Sequence, residues 1–220
     1  MQDHGYEVRY RFSSTLDEIE GYRYMTTYLG ELYEIDEDKQ REILVGKIEL
    51  KLMLLTRAIN EGYPIFEVFD LEAYTFDLGE KIMDLEEGEL DADIMKHYDD
   101  EILNQDICIL QRIEIIESHR RKGLGKKVVK DVYSRFASSC GLFVVQAFPL
   151  QFESRSNEIG KSDWENKLKF NTLEKDFEKA FYQLKAFYKN LGFDHIEGHD
   201  NFMFLNPIFK NEKLDRVVLE

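Results

Sequence analysis

The fold of this chain is decided by Ile107-Cys-Ile-Leu-Gln-Arg-Ile-Glu-Ile-Ile-Glu-Ser-His-Arg-Arg-Lys-Gly-Leu-Gly125. Its first half is a nearly continuous apolar run of strand length, which predicts a buried β-strand over 107–116. A basic loop with two glycines follows at 120–125, and a helix is expected over about 126–138. A second apolar run at 141–148 predicts the next strand.

The segments on either side of this stretch predict an α/β (α+β) domain of 220 residues built around a mixed sheet. Alternating side chains indicate a first strand near Tyr6–Phe12 and another at the start of Ile43–Ile59. We expect a helix between Ser13 and about Leu32, amphipathic helices over 66–90, a helix over 174–190, and a last strand from Phe202. Residues 151–172 lack a clean period and are expected to form a long connection.

Charge is distributed unevenly along the chain. The net charge is −15, which disfavours a general nucleic-acid binder. Residues 61–101 carry fifteen acidic residues and two lysines, whereas 117–135 carry seven basic and two acidic residues. Basic residues concentrated against an acidic background predict an anionic ligand for the second segment.

Other classes of function find little support. No apolar run is long enough for a membrane span, and no apolar signal core is seen near Met1, so we expect a cytoplasmic protein without membrane partners. Cys108 and Cys140 lie in or beside apolar segments and are expected to be buried thiols rather than a disulfide or a nucleophile. The five histidines show no metal-ligand spacing, and we predict no metal site.

The basic loop has the composition of an anion cradle. Gly123 and Gly125 leave backbone N–H groups accessible where a helix begins, and Arg120, Arg121 and Lys122 add whole charges. The sequence is neither a P-loop nor the dinucleotide fingerprint, because the required glycines and Ser/Thr are missing. The alternative is a merely solvated helix start.

Two motifs together resemble a known family. Residues 120–125 fit the pattern Arg/Gln-x-x-Gly-x-Gly/Ala directly after a strand, and Lys185-Ala-Phe-Tyr-Lys-Asn-Leu-Gly-Phe193 follows about sixty residues later. Both resemble the GNAT superfamily of acetyl-CoA-dependent N-acetyltransferases. The resemblance covers about 103–206, fits 1–60 loosely and leaves the acidic segment 61–101 unaligned, so we expect one domain with an acidic helical insertion.

The resemblance implies a sheet splayed between the strands 107–116 and 141–148, with acetyl-CoA as co-substrate in the gap. The pantetheine arm would pair with the backbone of Ile115, Ile116 and Glu117. The pyrophosphate would lie on the loop residues Arg120, Arg121, Lys122, Gly123, Leu124 and Gly125, with Lys126 beside them. The N–H of Ile116 would polarise the thioester carbonyl.

The resemblance also implies that Tyr188 is the general acid for the leaving thiolate, the alternative being one more packed aromatic. A general base is harder to assign. Glu114 and Glu117 are the nearest carboxylates, and an ion pair with Arg112 explains Glu114 equally well. The family often has a Glu in the next strand, where this chain has Gln146. Deprotonation through ordered water, or before binding, stays open.

Two further departures concern 148–172. The family's Asn after the second strand is missing, and the long connection could form a lid or substrate wall, with Trp164 lining a pocket or anchoring the loop. We therefore expect an N-acetyltransferase acting on a primary amine. The acidic segment 61–101 favours a cationic small molecule or peptide, unless it is only a solvated face. The alternative is a non-catalytic acyl-CoA-binding or protein-interaction module. A homodimer is left open.

Overall fold

A computed structural model describes residues 4–13, 20–36, 38–153 and 162–219. The strands are β1 (His4–Arg11), β2 (Met25–Asp36), β3 (Arg41–Met53), β4 (Met83–Asp84), β5 (Glu89–Leu90), β6 (Ile107–Ile115), β7 (Leu142–Gln146) and β8 (Phe202–Leu205). The helices are α1 (Leu55–Glu61), α2 (Ile65–Phe69), α3 (Ala73–Ile82), α4 (Ala92–His97), α5 (Leu124–Phe136), α6 (Asp163–Leu168), α7 (Phe177–Lys189) and α8 (Glu212–Asp215).

Six of the strands form one mixed sheet in the order β1-β2-β3-β6-β7-β8. Every neighbouring pair is antiparallel except β6 and β7, which are parallel and are connected through α5. The mixed α/β architecture expected from the sequence is therefore confirmed. The short strands β4 and β5 make a separate hairpin.

The two faces of the sheet bury two separate cores. Cys108, Leu110, Phe143 and Val145 point to the face covered by α5 and α7. Their neighbours in β6 and β7 belong to the core under α1–α4: Ile107, Ile109, Leu142 and Val144. Because side chains alternate along a strand, burial on both faces requires the continuous apolar runs seen in the sequence.

The prediction of a helix reaching Leu32 is wrong from Met25 onward, although Glu20–Tyr24 form a 3₁₀ helix. Residues 25–36 form β2, which pairs with β3 along its whole length and with β1 from Leu29 to Asp36; residues 14–19 lie outside the described residues. Hydrogen bonds to two flanking strands outweigh a weak local helix preference. The acidic stretch holds helices α2 and α3 as expected, but residues 83–90 form the β4–β5 hairpin instead of continuing the helix.

Strands β6 and β7 separate halfway along β6. Their pairing runs only from Ile107–Leu142 to Leu110–Val145. The register of β6 against β3 shifts at this point, so that Gln111 has no counterpart in β3 and forms a bulge. Strand β7 ends at Gln146, while β6 continues to Ile115 with its β7-facing edge unpaired. This divergence opens the sheet.

The cysteines agree with the sequence expectation. Cys108 and Cys140 are both free and buried, and burial raises the pKa of the Cys108 thiol. The longest of the described helices, α5 and α7, have 13 residues each. None of the helices in the described ranges is long and apolar enough to cross a membrane.

Candidate ligand-binding cleft

The gap between β6 and β7 is a cleft of about 430 Å³ that lies against α7 and the start of α5. Its walls come from the unpaired half of β6, the segment after β7, the turn after α6, and α7. Among its lining residues are Gln111, Ile113, Glu114, Ile115, Arg120, Gly125, Gln146, Phe170, Leu184, Phe187 and Tyr188. The cleft therefore joins the strand, the basic loop and the second motif.

Backbone groups of β6 alternate between β3 and the cleft. The N–H of Ile116 donates to the carbonyl of Val45 at 3.0 Å, so it points towards β3. Because the direction alternates along an antiparallel ladder, the amides of Ile113 and Ile115 point to the open side. The Ile115 carbonyl also points to the open side, where it accepts a hydrogen bond from Arg120 Nε at 2.9 Å. The prediction that the Ile116 N–H polarises a carbonyl in the cleft is thus wrong, because β3 already uses this group.

The basic loop presents a run of open amides. Among the described residues, none of the five N–H groups from Arg121 to Gly125 has a hydrogen-bond partner. The carbonyl of Gly123 accepts from the amides of Lys126 and Lys127, which starts α5. Gly123 has φ +80°, a conformation in which glycine is favoured. Open donors at the first turn of a 13-residue helix suit an anion.

Arg120 is built into the wall of the cleft. Its Nε bonds the Ile115 carbonyl, its Nη2 bonds the Leu168 carbonyl, and its guanidinium lies 5.7 Å from the ring centroid of Phe170. Its Nη1 is buried and has no partner among the described residues. Burial lowers the pKa of Arg120, with the nearby Glu117 charge opposing this. A charged donor left over in a cleft wall is suited to an anionic ligand.

Three further basic side chains belong to this loop or follow it directly. Arg121, Lys122 and Lys126 are exposed and form no ion pair within the described residues. Glu117, whose backbone is predicted to pair with the pantetheine arm, does not line the cleft, and its side chain forms an ion pair with Lys169 at 3.4 Å. The positive charge predicted for the loop is therefore available to a ligand.

Tyr188 lies at the inner wall of the cleft. It is 7% exposed and packs edge-on against Phe187 and Phe193. No hydrogen bond to its hydroxyl is formed by the described residues. Burial raises its pKa, so the phenol stays protonated through neutral pH and can donate a hydrogen bond. Tyr188 therefore lies in the cleft as a neutral phenol, and its role as a general acid stays a prediction.

Glu114 lies inside β6, as predicted, but its carboxylate is engaged on both oxygens. Trp164 Nε1 donates to Oε2 at 2.6 Å, and Arg112 Nη1 donates to Oε1 at 3.1 Å. Arg112 also binds Glu153 through both of its terminal nitrogens. Both carboxylate oxygens are therefore already engaged by protein donors. The ion-pair alternative therefore describes Glu114 better than the role of a base.

Trp164 has the anchoring role that was left open. Besides its bond to Glu114, its ring lies 4.7 Å from Lys47 Nζ, and α6 begins with a capping box at Ser162. These contacts hold the connection 162–172 against β3 and β6 as one wall of the cleft.

No sequence motif singles out two uncharged residues whose buried polar atoms lack a partner in the described part of the chain. Gln111, the bulged residue, lines the cleft, and its Oε1 is buried without a partner in the described part of the chain. Tyr74, from the acidic segment on the opposite face, likewise has a buried hydroxyl with no partner there. Burial raises the pKa of Tyr74, and the nearby Tyr188 and Glu49 raise it further.

The described residues contain no group of three or more His, Cys, Asp or Glu side chains that could hold a metal ion. His195 and His199 bind separate carboxylates, Asp200 at 2.9 Å and Asp91 at 3.2 Å.

No protein-family model, curated protein or solved structure matches this chain at a significant level. Similarity to the GNAT superfamily is accordingly a resemblance of two sequence motifs.

Proposed function

We propose that this protein is an acetyl-CoA-dependent N-acetyltransferase that acts on a primary amine. The observation that carries the proposal is the divergence of β6 from β7, which makes a cleft continuous with the open amides of the basic loop. An elongated ligand with phosphates at one end and a thioester at the other matches such a site.

The residues present fit this co-substrate. The open amides of 121–125 and the unpartnered Nη1 of Arg120 would hold the pyrophosphate. The N–H groups of Ile113 and Ile115 face the gap and would pair with the amides of the pantetheine arm and polarise the thioester carbonyl. Bound there, acetyl-CoA supplies the activated acetyl group.

Tyr188 would stabilise the leaving thiolate by donating its phenolic hydrogen bond. Its hydroxyl is available for this because it is neutral and has no partner among the described residues. The two carboxylates that line the described cleft, Glu114 and Glu174, both accept hydrogen bonds from protein donors. We therefore assign no side chain as base, and the amine would be deprotonated through water or before it binds.

The acceptor would approach from the face opposite α5 and α7. The acidic segment 61–101 supplies α2, α3 and α4 to that face. A net charge of −13 across the segment favours a cationic amine or a basic peptide.

Calorimetry with acetyl-CoA tests the first half of the proposal. We expect micromolar binding, abolished in Gly125→Glu because the carboxylate would stand at the phosphate position. Gly5→Glu is a matched control, since a side chain there meets no atom within 4 Å, its backbone is outside the left-handed region, and it does not line the cleft. Absence of binding by the unmodified protein would refute the proposal.

Release of free thiol across a panel of amines tests the second half. For an amine that is acetylated, Tyr188→Phe should lose most of the rate of thiol release, with little change in the affinity of the protein for acetyl-CoA. A rate unchanged by this substitution would contradict the role of Tyr188.

One observation favours a second candidate, a module that binds acyl-CoA without turnover. Gln146 lines the cleft where a carboxylate base would be expected, and Glu114 is tied to Trp164. Binding of acetyl-CoA without thiol release for any amine would support this module.

A further inference from the structure

A second basic pocket lies on the other side of the loop from the cleft. Its volume is about 350 Å³, and its walls are the first turn of α5, the end of α7 and the C-terminal segment. Four of its nine lining residues are basic, and none is acidic: Gly123, Lys126, Lys127, Asn190, Leu191, Lys213, Arg216, Val217 and Val218. The acidic background of the chain makes this composition notable.

The pocket is separated from the cleft by about one helical turn. Phe187 and Tyr188 of α7 line the cleft, and Asn190 and Leu191 line the pocket. Three residues along a helix correspond to about 4.5 Å. The open amides of 121–125 lie between the two spaces, so one ligand can occupy both.

The C-terminal segment is fixed in place by specific contacts. Asn211 Nδ2 donates to the Leu191 carbonyl at 2.9 Å, and Lys213 Nζ donates to the Lys189 carbonyl at 3.1 Å. Leu214 is fully buried in the core under α5 and α7. Only a glycine at 192 leaves room for the Asn211 amide. The pocket is therefore a defined surface and not the chance approach of a loose tail.

The cations of this segment keep donors for a ligand. Lys213 uses one of its three ammonium hydrogens on Lys189. Arg216 is 3.7 Å from Glu212, and this pair is largely exposed and so contributes little.

We infer that this pocket binds the 3′-phosphate of the coenzyme, so that Lys213 and Arg216 select 3′-phosphorylated CoA over its dephosphorylated form. The inference rests on the proposed function and deepens it. The 3′-phosphate is a dianion on the same ribose as the pyrophosphate, so cations that bind it must lie close to the pyrophosphate site. The pocket places four basic residues beside the loop. Both residues lie outside 103–206, the range covered by the motif resemblance.

The experiment compares the affinities for CoA and 3′-dephospho-CoA by calorimetry at fixed salt. The unmodified protein should bind CoA at least roughly tenfold more tightly, since charge-assisted bonds to a phosphate are lost in the other ligand. The double variant Lys213→Ala/Arg216→Ala should bind both ligands equally, at the level of 3′-dephospho-CoA. Arg216→Ala alone should lie between, with an unchanged thermal midpoint because its side chain is exposed.

Lys210→Ala is the matched control. Lys210 is exposed, belongs to the same segment and does not line the pocket, so its removal should leave the preference for CoA intact. Equal binding of both ligands by the unmodified protein, or a preference that survives the double variant, would overturn this inference alone. If the unmodified protein bound neither CoA nor 3′-dephospho-CoA, both the proposed function and this inference would be overturned.

Discussion

The two glycines of the basic loop should respond to the same substitution in opposite directions. Gly123 has φ +80°, and a Cβ there would meet no atom within 4 Å. Gly125 is the second residue of α5, and its Cβ would meet Phe187 at 3.5 Å and Ile115 at 4.0 Å, which is ordinary contact. An alanine at 123 would therefore have room for its methyl group but a strained backbone, whereas an alanine at 125 would have neither a clash nor a strained backbone.

The magnitudes follow from these conformations. Holding an alanine in the left-handed region costs about 1–2 kcal/mol, so Gly123→Ala should lower the free energy of unfolding by about that amount. Replacing a helical glycine by alanine gains about 0.5–1 kcal/mol, so Gly125→Ala should raise it. The two variants should differ by about 1.5–3 kcal/mol.

Urea denaturation followed by circular dichroism measures this difference. A change of about 1 kcal/mol should also move the thermal midpoint by about 2–4 °C in a chain of this size. Gly125→Ala should keep its affinity for acetyl-CoA, while Gly123→Ala should weaken it because the open amides are reoriented. Equal stability of the two variants would refute the conformational argument.

Three other substitutions or conditions test the remaining contacts. Trp164→Phe should lower the free energy of unfolding by about 1–3 kcal/mol, since a buried carboxylate loses a donor, and circular dichroism should detect it. Gly192→Ala should lower the free energy of unfolding, measured by urea denaturation, by about 2–4 kcal/mol, because φ is +91° and a methyl group would overlap the side chain of Asn211. Gly198→Ala should lower it less, because a methyl group there meets no atom within 4 Å. The pKa of Tyr188 is raised by burial, so the folded chain holds this proton more tightly than the unfolded one. Stability should be intact below about pH 10 and fall above it, and the fall should be smaller in Tyr188→Phe.

Much of the cleft could be predicted because its signals are local. The apolar run of β6, the glycine that starts α5 and the helical period of α7 each depend on residues close in sequence. The placement of Tyr188 and of the loop around one cleft followed from the motifs. The bond from the Ile116 N–H to β3 and the indole donor to Glu114 could not be predicted. They depend on Val45 and Trp164, which are 71 and 50 residues away.

The sequence by itself determined the order of most strands and helices, the position of the basic loop and the burial of β6 and β7. These follow from hydrophobic period and turn chemistry, which act over a few residues. The tertiary structure decided that residues 25–36 form a strand, that β6 and β7 separate after Leu110 and Val145, and which amides of β6 face the gap. Strand pairing and the direction of backbone hydrogen bonds are long-range properties, and only the neighbouring strands fix them.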